Sequence, residues 1–249
     1  MTEIIYGRNP VLEALRSDQA IDRILLAKGV KATGSVGEIL ERARARNIAV
    51  EWVDRAELNS MARSHQGVVA RVPTFYYSTV DDMLALARRR NERPLILVLD
   101  HVQDVHNLGS LIRTAEAVGA HGLIIPQRRS ASITPAVHKS SAGAVTHLLV
   151  AQVTNLVRML KELQERGLWI VGLDMAGDSD YDALDWAMPT AIVVGSEGQG
   201  LSQLVRETCD FLVRLPMRGK IDSLNAAVAG SIVLYAAWRH GAGQLNVAR

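Results

Sequence analysis

The chain has 249 residues, 48% of them hydrophobic, which is enough for one large domain or two smaller domains with cores of their own. No apolar run is long enough to span a membrane, no signal peptide is recognisable, and the single cysteine, Cys209, excludes an intramolecular disulfide and suggests no zinc site. We therefore expect a cytoplasmic protein without a membrane partner, and the formal net charge of +2 indicates no nucleic-acid partner by itself.

Helices and strands alternate over residues 1–73, and this pattern predicts a small α/β domain. The predicted helices are 10–16, 36–46 and 55–63, and the predicted strands are 21–27, 48–53 and 67–72. Asn9 is expected to cap the first helix, because Pro10 suits a first helical position. Residues 74–93 are predicted to be a linker followed by a helix over 80–90.

A second alternation predicts a larger α/β domain over residues 94–249. Its predicted strands are 95–100, 122–125, 147–153, 169–173, 191–195 and 211–215, and its predicted helices are 108–118, 135–144, 155–166 and 226–240. The strands are continuously apolar rather than alternating, which is typical of a parallel sheet covered on both faces. Ligands of such sheets bind beyond the carboxyl ends of the strands.

Polar residues cluster after the first strand of this second domain, where a plain strand–helix connection would need none. Asp104, His106, Asn107 and Gly109 stand at the entry of the predicted helix, and Arg113 follows within it. The two histidines near this region, His106 and His138, have side chains suited to proton transfer near neutral pH, but we favour a structural or ligand-contact role for both.

Two further clusters follow the last two strands. Residues 195–202 read GSEGQGLS, whose glycine order differs from the dinucleotide-binding fingerprint, so a structural turn and a ligand loop are both open. Glu197 within it would repel phosphate and suits a cationic partner. Ser223 and Asn225 precede a helix of small apolar residues; they are either plain N-caps or part of a site, and the helix could form a homodimer interface.

Together the three clusters resemble the motifs of the SpoU (TrmH) branch of the SPOUT RNA methyltransferases. The matching stretches are 107–113 (NLGSLIR), 194–201 (VGSEGQGL), and 215–217 (LPM) with 223–229 (SLNAAVA). The family often has Thr-Asp-Pro-His-Asn where this chain has QDVHN at 103–107, and the missing proline should loosen the turn.

The N-terminal part, with IIYGRNPVLEAL and HQGVVARV, resembles the family's L30e-like substrate-binding domain. The resemblance is nearest to the branch that methylates a guanosine 2′-hydroxyl in 23S rRNA, the RlmB type. It implies a deep trefoil knot in the C-terminal SPOUT domain, S-adenosylmethionine as methyl donor, 23S rRNA as partner, and a homodimer formed through the catalytic domain, in which both chains contribute to each active site.

The resemblance also implies roles for individual residues. The catalytic set is Asn107, Arg113, Glu197, Ser223 and Asn225. The cofactor-binding set is Gly195, Leu215, Met217, Leu224 and Asn225.

Arg113 is the central catalytic residue of the family pattern, where it is often given the role of the base. A guanidinium is normally fixed as a cation, so we expect Arg113 to bind phosphate and stabilise the developing 2′-alkoxide instead. Asn107 would hold Arg113 or the ribose, and Glu197 would orient Arg113 and complement the sulfonium charge.

Three alternatives stay open at this stage. A tRNA 2′-O-methyltransferase is the nearest, although tRNA members usually carry short extensions in place of an N-terminal domain. A non-catalytic RNA-binding ribosome-assembly factor is the second, and a nicotinamide dehydrogenase is disfavoured by the glycine order. Arginines cluster at 42–46, 88–93 and 128–129 and could attract phosphate, but solvated helix faces explain any single cluster equally well.

Overall fold

The computed structural model describes residues 3–16, 20–72, 75–221 and 223–241. They form two compact units, one running up to Tyr76 with Thr134–Ala136 added, and the other comprising Tyr77–Ile133 and the chain from Val137 onward. Across the described residues, no helix is both long enough and apolar enough to cross a membrane.

The first unit is a four-stranded mixed sheet with helices on both faces. Its strands are β1 (Glu3–Tyr6), β2 (Arg23–Ala27), β3 (Ala49–Val53) and β4 (Val68–Val72), in the order β1-β4-β2-β3. Strands β2 and β3 are parallel, and β4 is antiparallel to both of its neighbours. Helices α1 (Arg8–Arg16) and α2 (Ser35–Ala45) pack on one face, and α3 (Arg55–Met61) packs on the other.

Besides shifts of one or two residues at the ends of elements, two details of this unit differ from the sequence prediction. Strand β1 is absent from the prediction, because its four residues give too short a pattern to read. The prediction that Asn9 caps the first helix is wrong: α1 begins at Arg8, and the carbonyl of Gly7 accepts the first helical bond from Val11 at 3.2 Å. Gly7 has φ of 93°, a conformation that favours glycine and ends β1 just before the helix.

The second unit is built on a seven-stranded sheet in which every pairing is parallel, as predicted. Its strands are β5 (Leu95–Leu99), β6 (Gly122–Pro126), β7 (Val150–Val153), β8 (Trp169–Leu173), β9 (Ser179–Asp180), β10 (Thr190–Val194) and β11 (Phe211–Arg214). Their order is β7-β6-β5-β10-β8-β11-β9. Strand β10 is thus inserted between β5 and β8, where the direction of strand addition reverses.

Helices cover both faces of this sheet. They are α4 (Val80–Arg90), α5 (Val105–Ala117), α6 (Pro135–Ser140), α7 (Leu156–Glu165), α8 (Gln203–Thr208) and α9 (Ala226–Gly241), with a 3₁₀ turn at Ala144–Thr146. Helices α4, α7 and α8 bury their apolar side chains against one face of the sheet. Helix α9 packs so closely on α5 and β10 that a Cβ on Gly230 would lie 2.8 Å from Leu111 and 2.9 Å from Val194.

Helix boundaries in this unit follow their caps. Asp104 accepts a 2.8 Å bond from the amide of Asn107, so α5 begins at Val105, ahead of the predicted start. Asn155 caps α7 in the same way. The helix predicted over 135–144 ends at Ser140, because Ala142 and Gly143 adopt positive φ. Strand β9 and helix α8 are absent from the prediction. The trefoil knot and the L30e-like assignment stay predictions.

Cys209 lies against the sheet beside β8, where a Cβ on Gly172 would meet its sulfur at 2.7 Å. Burial is the largest cause that raises the pKa of this thiol to about 12, and the carboxylates of Asp210, Asp100 and Asp174 add to the effect. The thiolate is the reactive form of cysteine, so the folded protein holds this group almost entirely unreactive at neutral pH.

We therefore expect a thiol-specific disulfide reagent at pH 8 to label Cys209 roughly 1,000-fold more slowly in the native protein than in the denatured chain. The measurement is the labelling rate with and without guanidinium chloride. Comparable rates in the two states would mean that the thiol is not buried as the structure has it.

Gly109 makes room for α6 against α5. A Cβ at this position would lie 2.0 Å from Ser140 Oγ and 2.8 Å from the carbonyl carbon of Ser140. Ser140 cannot easily turn away, because its hydroxyl donates to the carbonyl of Val105 at 3.0 Å. The glycine of the Asn-x-Gly pattern is therefore explained by helix packing.

We expect Gly109→Ala to lower the free energy of unfolding by about 1–2 kcal/mol, because overpacking exceeds the gain in helix propensity. Denaturant unfolding of the full chain measures it. Ser110→Ala, at an exposed position of the same helix, is the control and should stay within about 0.5 kcal/mol of the parent. A stabilised Gly109→Ala protein would contradict this account of the helix contact.

Candidate active site

The ends of three neighbouring strands lie side by side at the carboxyl edge of the second sheet. Val194 of β10 is paired with Leu99 of β5 and with Leu173 of β8. The loops that continue from these strands therefore start from one row, in the place where open parallel sheets bind ligands.

A cavity of about 430 Å³ opens at this edge. It is lined by residues 173–175, 194–200, 206, 215, 217, 223–226 and 229. All five residues predicted to bind the cofactor are among them, namely Gly195, Leu215, Met217, Leu224 and Asn225. The predicted catalytic residues Glu197 and Ser223 also line the cavity, whereas Asn107 and Arg113 do not.

Asn107 joins the three sequence clusters through its side chain. Its Nδ2 donates to Glu197 Oε2 at 3.2 Å, and its Oδ1 accepts from Asn225 Nδ2 at 2.8 Å. Asn225 in turn accepts from the amides of Ala227 at 2.9 Å and Val228 at 3.2 Å, at the start of α9. Only 8% of Asn107 is exposed, whereas Glu197 and Asn225 are exposed, so the two bonds hold both partners from their buried side.

The glycine-rich loop after β10 folds back on itself. Ser196 and Gly200 exchange two backbone hydrogen bonds, of 3.0 and 2.9 Å. A Cβ on Gly195 would lie 2.1 Å from the carbonyl carbon of Gly200, so no other residue fits at Gly195 without moving the loop. Gly198 and Gly200 have φ of 83° and 65°, which glycine adopts without strain.

Asp100, which is not among the predicted site residues, holds the end of this loop through a hydrogen bond. It is fully buried, and its Oδ2 accepts from the amide of Ser202 at 2.6 Å. Its Oδ1 bonds to Nδ1 of His101, the next residue. A carboxylate directly after the apolar run LILVL is the signal that could have identified it.

Asp174, after β8, is also absent from the predicted site residues. The same signal could have identified it, since it directly follows the apolar run WIVGL. Its side chain is 6% exposed and its Oδ1 accepts from the amide of Ala176 at 2.9 Å. Arg206 Nη2 lies 2.7 Å from Oδ2, but its orientation makes an ion pair and not a hydrogen bond. Asp174 and Arg206 are both among the residues that line the cavity.

Arg113 stands apart from the cavity within its own chain. It is exposed on α5, and its side chain makes no hydrogen bond or ion pair with any residue that the structure describes. The expected contact between Glu197 and Arg113 is absent there, because Glu197 accepts from Asn107 instead. His106 and His138 are likewise exposed, outside the cavity lining.

To a small ligand, the cavity presents the carboxylates of Asp174 and Glu197 as hydrogen-bond acceptors, and the glycine-rich loop forms part of its wall. Glu197 brings a negative charge with no cationic partner among the described residues, and Asp174 brings one that Arg206 balances. Such a site suits a ligand with a cationic centre and several hydrogen-bond donors, and S-adenosylmethionine has both.

Comparison with known families agrees with this description. Residues 94–235 match the SpoU rRNA Methylase family, and residues 4–78 match the family described as RNA 2′-O ribose methyltransferase substrate binding. A relative from Bacillus subtilis, named as a putative TrmH family tRNA/rRNA methyltransferase, YacO, is 44% identical over 238 residues, which is 95% of each chain.

Two solved structures extend the comparison. The AdoMet-bound rRNA methyltransferase from Sinorhizobium meliloti has a TM-score of 0.60 and 27% identity, covering 96% of this chain and 87% of its own. The A. aeolicus TrmH/SpoU tRNA modifying enzyme has a TM-score of 0.55 and 30% identity, covering 64% of this chain and 83% of its own. The chain belongs to the SpoU (TrmH) family of RNA 2′-O-methyltransferases, which use S-adenosylmethionine as methyl donor.

Proposed function

We propose that the protein methylates the 2′-hydroxyl of a guanosine in 23S rRNA, in the cytoplasm, as a homodimer formed through its catalytic unit. The N-terminal substrate-binding region supports rRNA over tRNA. The rRNA methyltransferase from Sinorhizobium meliloti aligns with 96% of this chain, whereas the A. aeolicus tRNA modifying enzyme aligns with 64% of it.

S-adenosylmethionine supplies an activated methyl group on a sulfonium, whose departure leaves a neutral thioether. The protein then has to hold the ribose oxygen in line with that methyl group and help remove the hydroxyl proton, and positioning alone can supply much of the rate enhancement. As the new O–C bond forms, the 2′-oxygen loses its proton to water or to a neighbouring phosphate.

The Asn107 hydrogen bonds provide this positioning on the cofactor side. They hold Glu197 and Asn225 at fixed places on the cavity wall, at 3.2 and 2.8 Å from the Asn107 amide. Glu197 would present a carboxylate to the cavity, where its charge would stabilise a cationic donor. Ser223 and the backbone around Leu215, Met217 and Leu224 would shape the remaining wall.

Arg113 is proposed to act on the RNA side, in the site of the partner subunit. Its side chain is exposed and has no partner among the described residues of its own chain, so it is available to a phosphate or to the 2′-oxygen. The guanidinium would stabilise the negative charge that develops on that oxygen. This differs from general-base catalysis, which a fixed cation performs poorly.

The outer face of α9 supports the homodimer. Val228, Ile232 and Tyr235 follow one another at helical spacing and are 49%, 37% and 47% exposed. Trp238 packs edge-on against Tyr235, with ring centroids 5.9 Å apart. Helix α9, which carries this apolar stripe, packs against α5, which carries Arg113, so a second chain docked on the stripe would lie near that helix.

The substrate is tested by methyl transfer from labelled S-adenosylmethionine to unmodified 23S rRNA, with 16S rRNA and tRNA alongside. We expect label in 23S rRNA, recovered after nucleoside digestion as 2′-O-methylguanosine. Label in tRNA alone would keep the chemistry and discard the proposed substrate. Failure to label any RNA while the cofactor still binds would favour an assembly role.

The composite site is tested by mixing two inactive variants. Arg113→Ala should lower kcat about 100-fold or more with cofactor affinity unchanged, because a charge-stabilising group is lost. Glu197→Ala should lower kcat by a similar factor, because it removes a carboxylate that lines the cavity. When the two proteins are co-expressed, each heterodimer has one site in which both Arg113 and Glu197 are intact, each contributed by a different chain, and one site that lacks both. Activity should therefore return to a substantial fraction of the parent value.

The matched control for Arg113→Ala is Glu116→Ala, which also removes a charged side chain from an exposed position of α5. It should leave activity near the parent value, because Glu116 lies outside the cavity and has no proposed contact with the RNA. If the mixed heterodimers stay as inactive as the two separate variants, Arg113 works within its own chain and the composite site is wrong.

A further inference from the structure

Asp174 occupies a position with a specific chemical meaning in α/β sheets. It directly follows β8, and β8 is the neighbour of β10, which carries the glycine-rich loop. In dinucleotide-binding folds an acidic residue near a glycine-rich turn accepts hydrogen bonds from a ribose hydroxyl. The glycine order here is different, but the carboxylate and the loop meet at the same edge of the sheet.

The Asp174 carboxylate is incompletely satisfied within the protein. Its side chain is 6% exposed, and its Oδ2 accepts no hydrogen bond from any described residue. A buried oxygen without a hydrogen-bond donor is costly, and such groups are rare in folded proteins unless a ligand or water completes them. Because Asp174 also lines the cavity, a ligand in that cavity is the natural source of the missing donors.

The charge balance favours neutral donors at this carboxylate. Arg206 Nη2 lies 2.7 Å from Asp174 Oδ2 and compensates its charge, while the side chain of Arg206 stays 43% exposed. Glu197, by contrast, has no cationic partner in the described part of the chain and is better placed to attract a cationic centre. Asp174 therefore offers oxygen lone pairs more than net charge, which suits hydroxyl groups.

We propose that Asp174 binds the 2′- and 3′-hydroxyls of the adenosine ribose of S-adenosylmethionine, with Arg206 as the residue that positions its carboxylate. This assignment rests on the cofactor of the family and not on the RNA substrate. Arg206 pairs with Oδ2, and the ribose hydroxyls would donate to the carboxylate lone pairs that no described residue uses.

The test is calorimetric binding of S-adenosylhomocysteine, its 2′,3′-dideoxy analogue and its deaminated analogue to the full-length protein without RNA. We expect Asp174→Asn to weaken the affinity for S-adenosylhomocysteine about 10- to 100-fold. The affinity for the dideoxy analogue should stay almost unchanged, because that analogue lacks the two hydroxyls that Asp174 would bind. Asp178→Asn removes the same charge at an exposed position outside the cavity and should leave all three affinities unchanged.

Two results would overturn the proposal. An equal loss of affinity for both S-adenosylhomocysteine and the dideoxy analogue would give Asp174 a structural role only. A loss that disappears with the deaminated analogue would assign the carboxylate to the ammonium group. Thermal unfolding of the Asp174→Asn protein verifies that it is folded, and because no RNA is present, failure here is separate from failure of the proposed rRNA substrate.

Discussion

The hydrogen bonds of one buried amide, Asn107, connect the whole site. They link Asn107 to Glu197, which lies 90 positions later in the loop after β10, and to Asn225, which lies 118 positions later at the start of α9. An Asn side chain donates through Nδ2 and accepts through Oδ1 at once, so it bridges Glu197 and Asn225, whereas an ionised carboxylate of similar size could only accept. The three polar clusters of the sequence are three parts of one bonded unit.

This unit exists only because the backbone comes unusually close to itself around it. A Cβ on Gly195 would lie 2.1 Å from the carbonyl carbon of Gly200, and a Cβ on Gly230 would lie 2.8 Å from the side chain of Leu111. The first contact turns the loop after β10 back over the strand, and the second seats α9 against α5. If either contact opened, Glu197 or Asn225 would move relative to Asn107, and bonds of this length do not survive shifts of even about one ångström.

The sequence predicts the elements of the fold well where periodicity is strong and poorly where non-local pairing decides. Helix α4 and strand β8 begin and end where predicted, because a capping residue and an apolar run mark them clearly. Strand β9 has two residues and exists only through its pairing with β11, so no local pattern could announce it. The predicted start of α5 is misplaced because the prediction gives Asp104 no capping role.

The same reasoning explains which site residues were foreseen. Asn107, Glu197 and Asn225 stand in motifs, and the structure brings them together. Asp100 and Asp174 are single carboxylates after apolar runs, and a charge in that position is ordinarily a solvated loop residue. Their burial follows from the insertion of β10 between β5 and β8, which depends on pairings between residues far apart in sequence.

The two carboxylates of the cavity differ in a way that separates their effects. Asp174 is buried and its charge is balanced by Arg206 at 2.7 Å, so it presents a directed acceptor with little net field. Glu197 is exposed and, among the described residues, hydrogen-bonded only to the neutral amide of Asn107, so its charge acts on whatever occupies the cavity. When a ligand displaces water from the cavity, the field of Glu197 strengthens because the local dielectric constant falls. A cationic methyl donor would thereby be stabilised most once it is fully seated, whereas a neutral thioether would gain nothing from that charge.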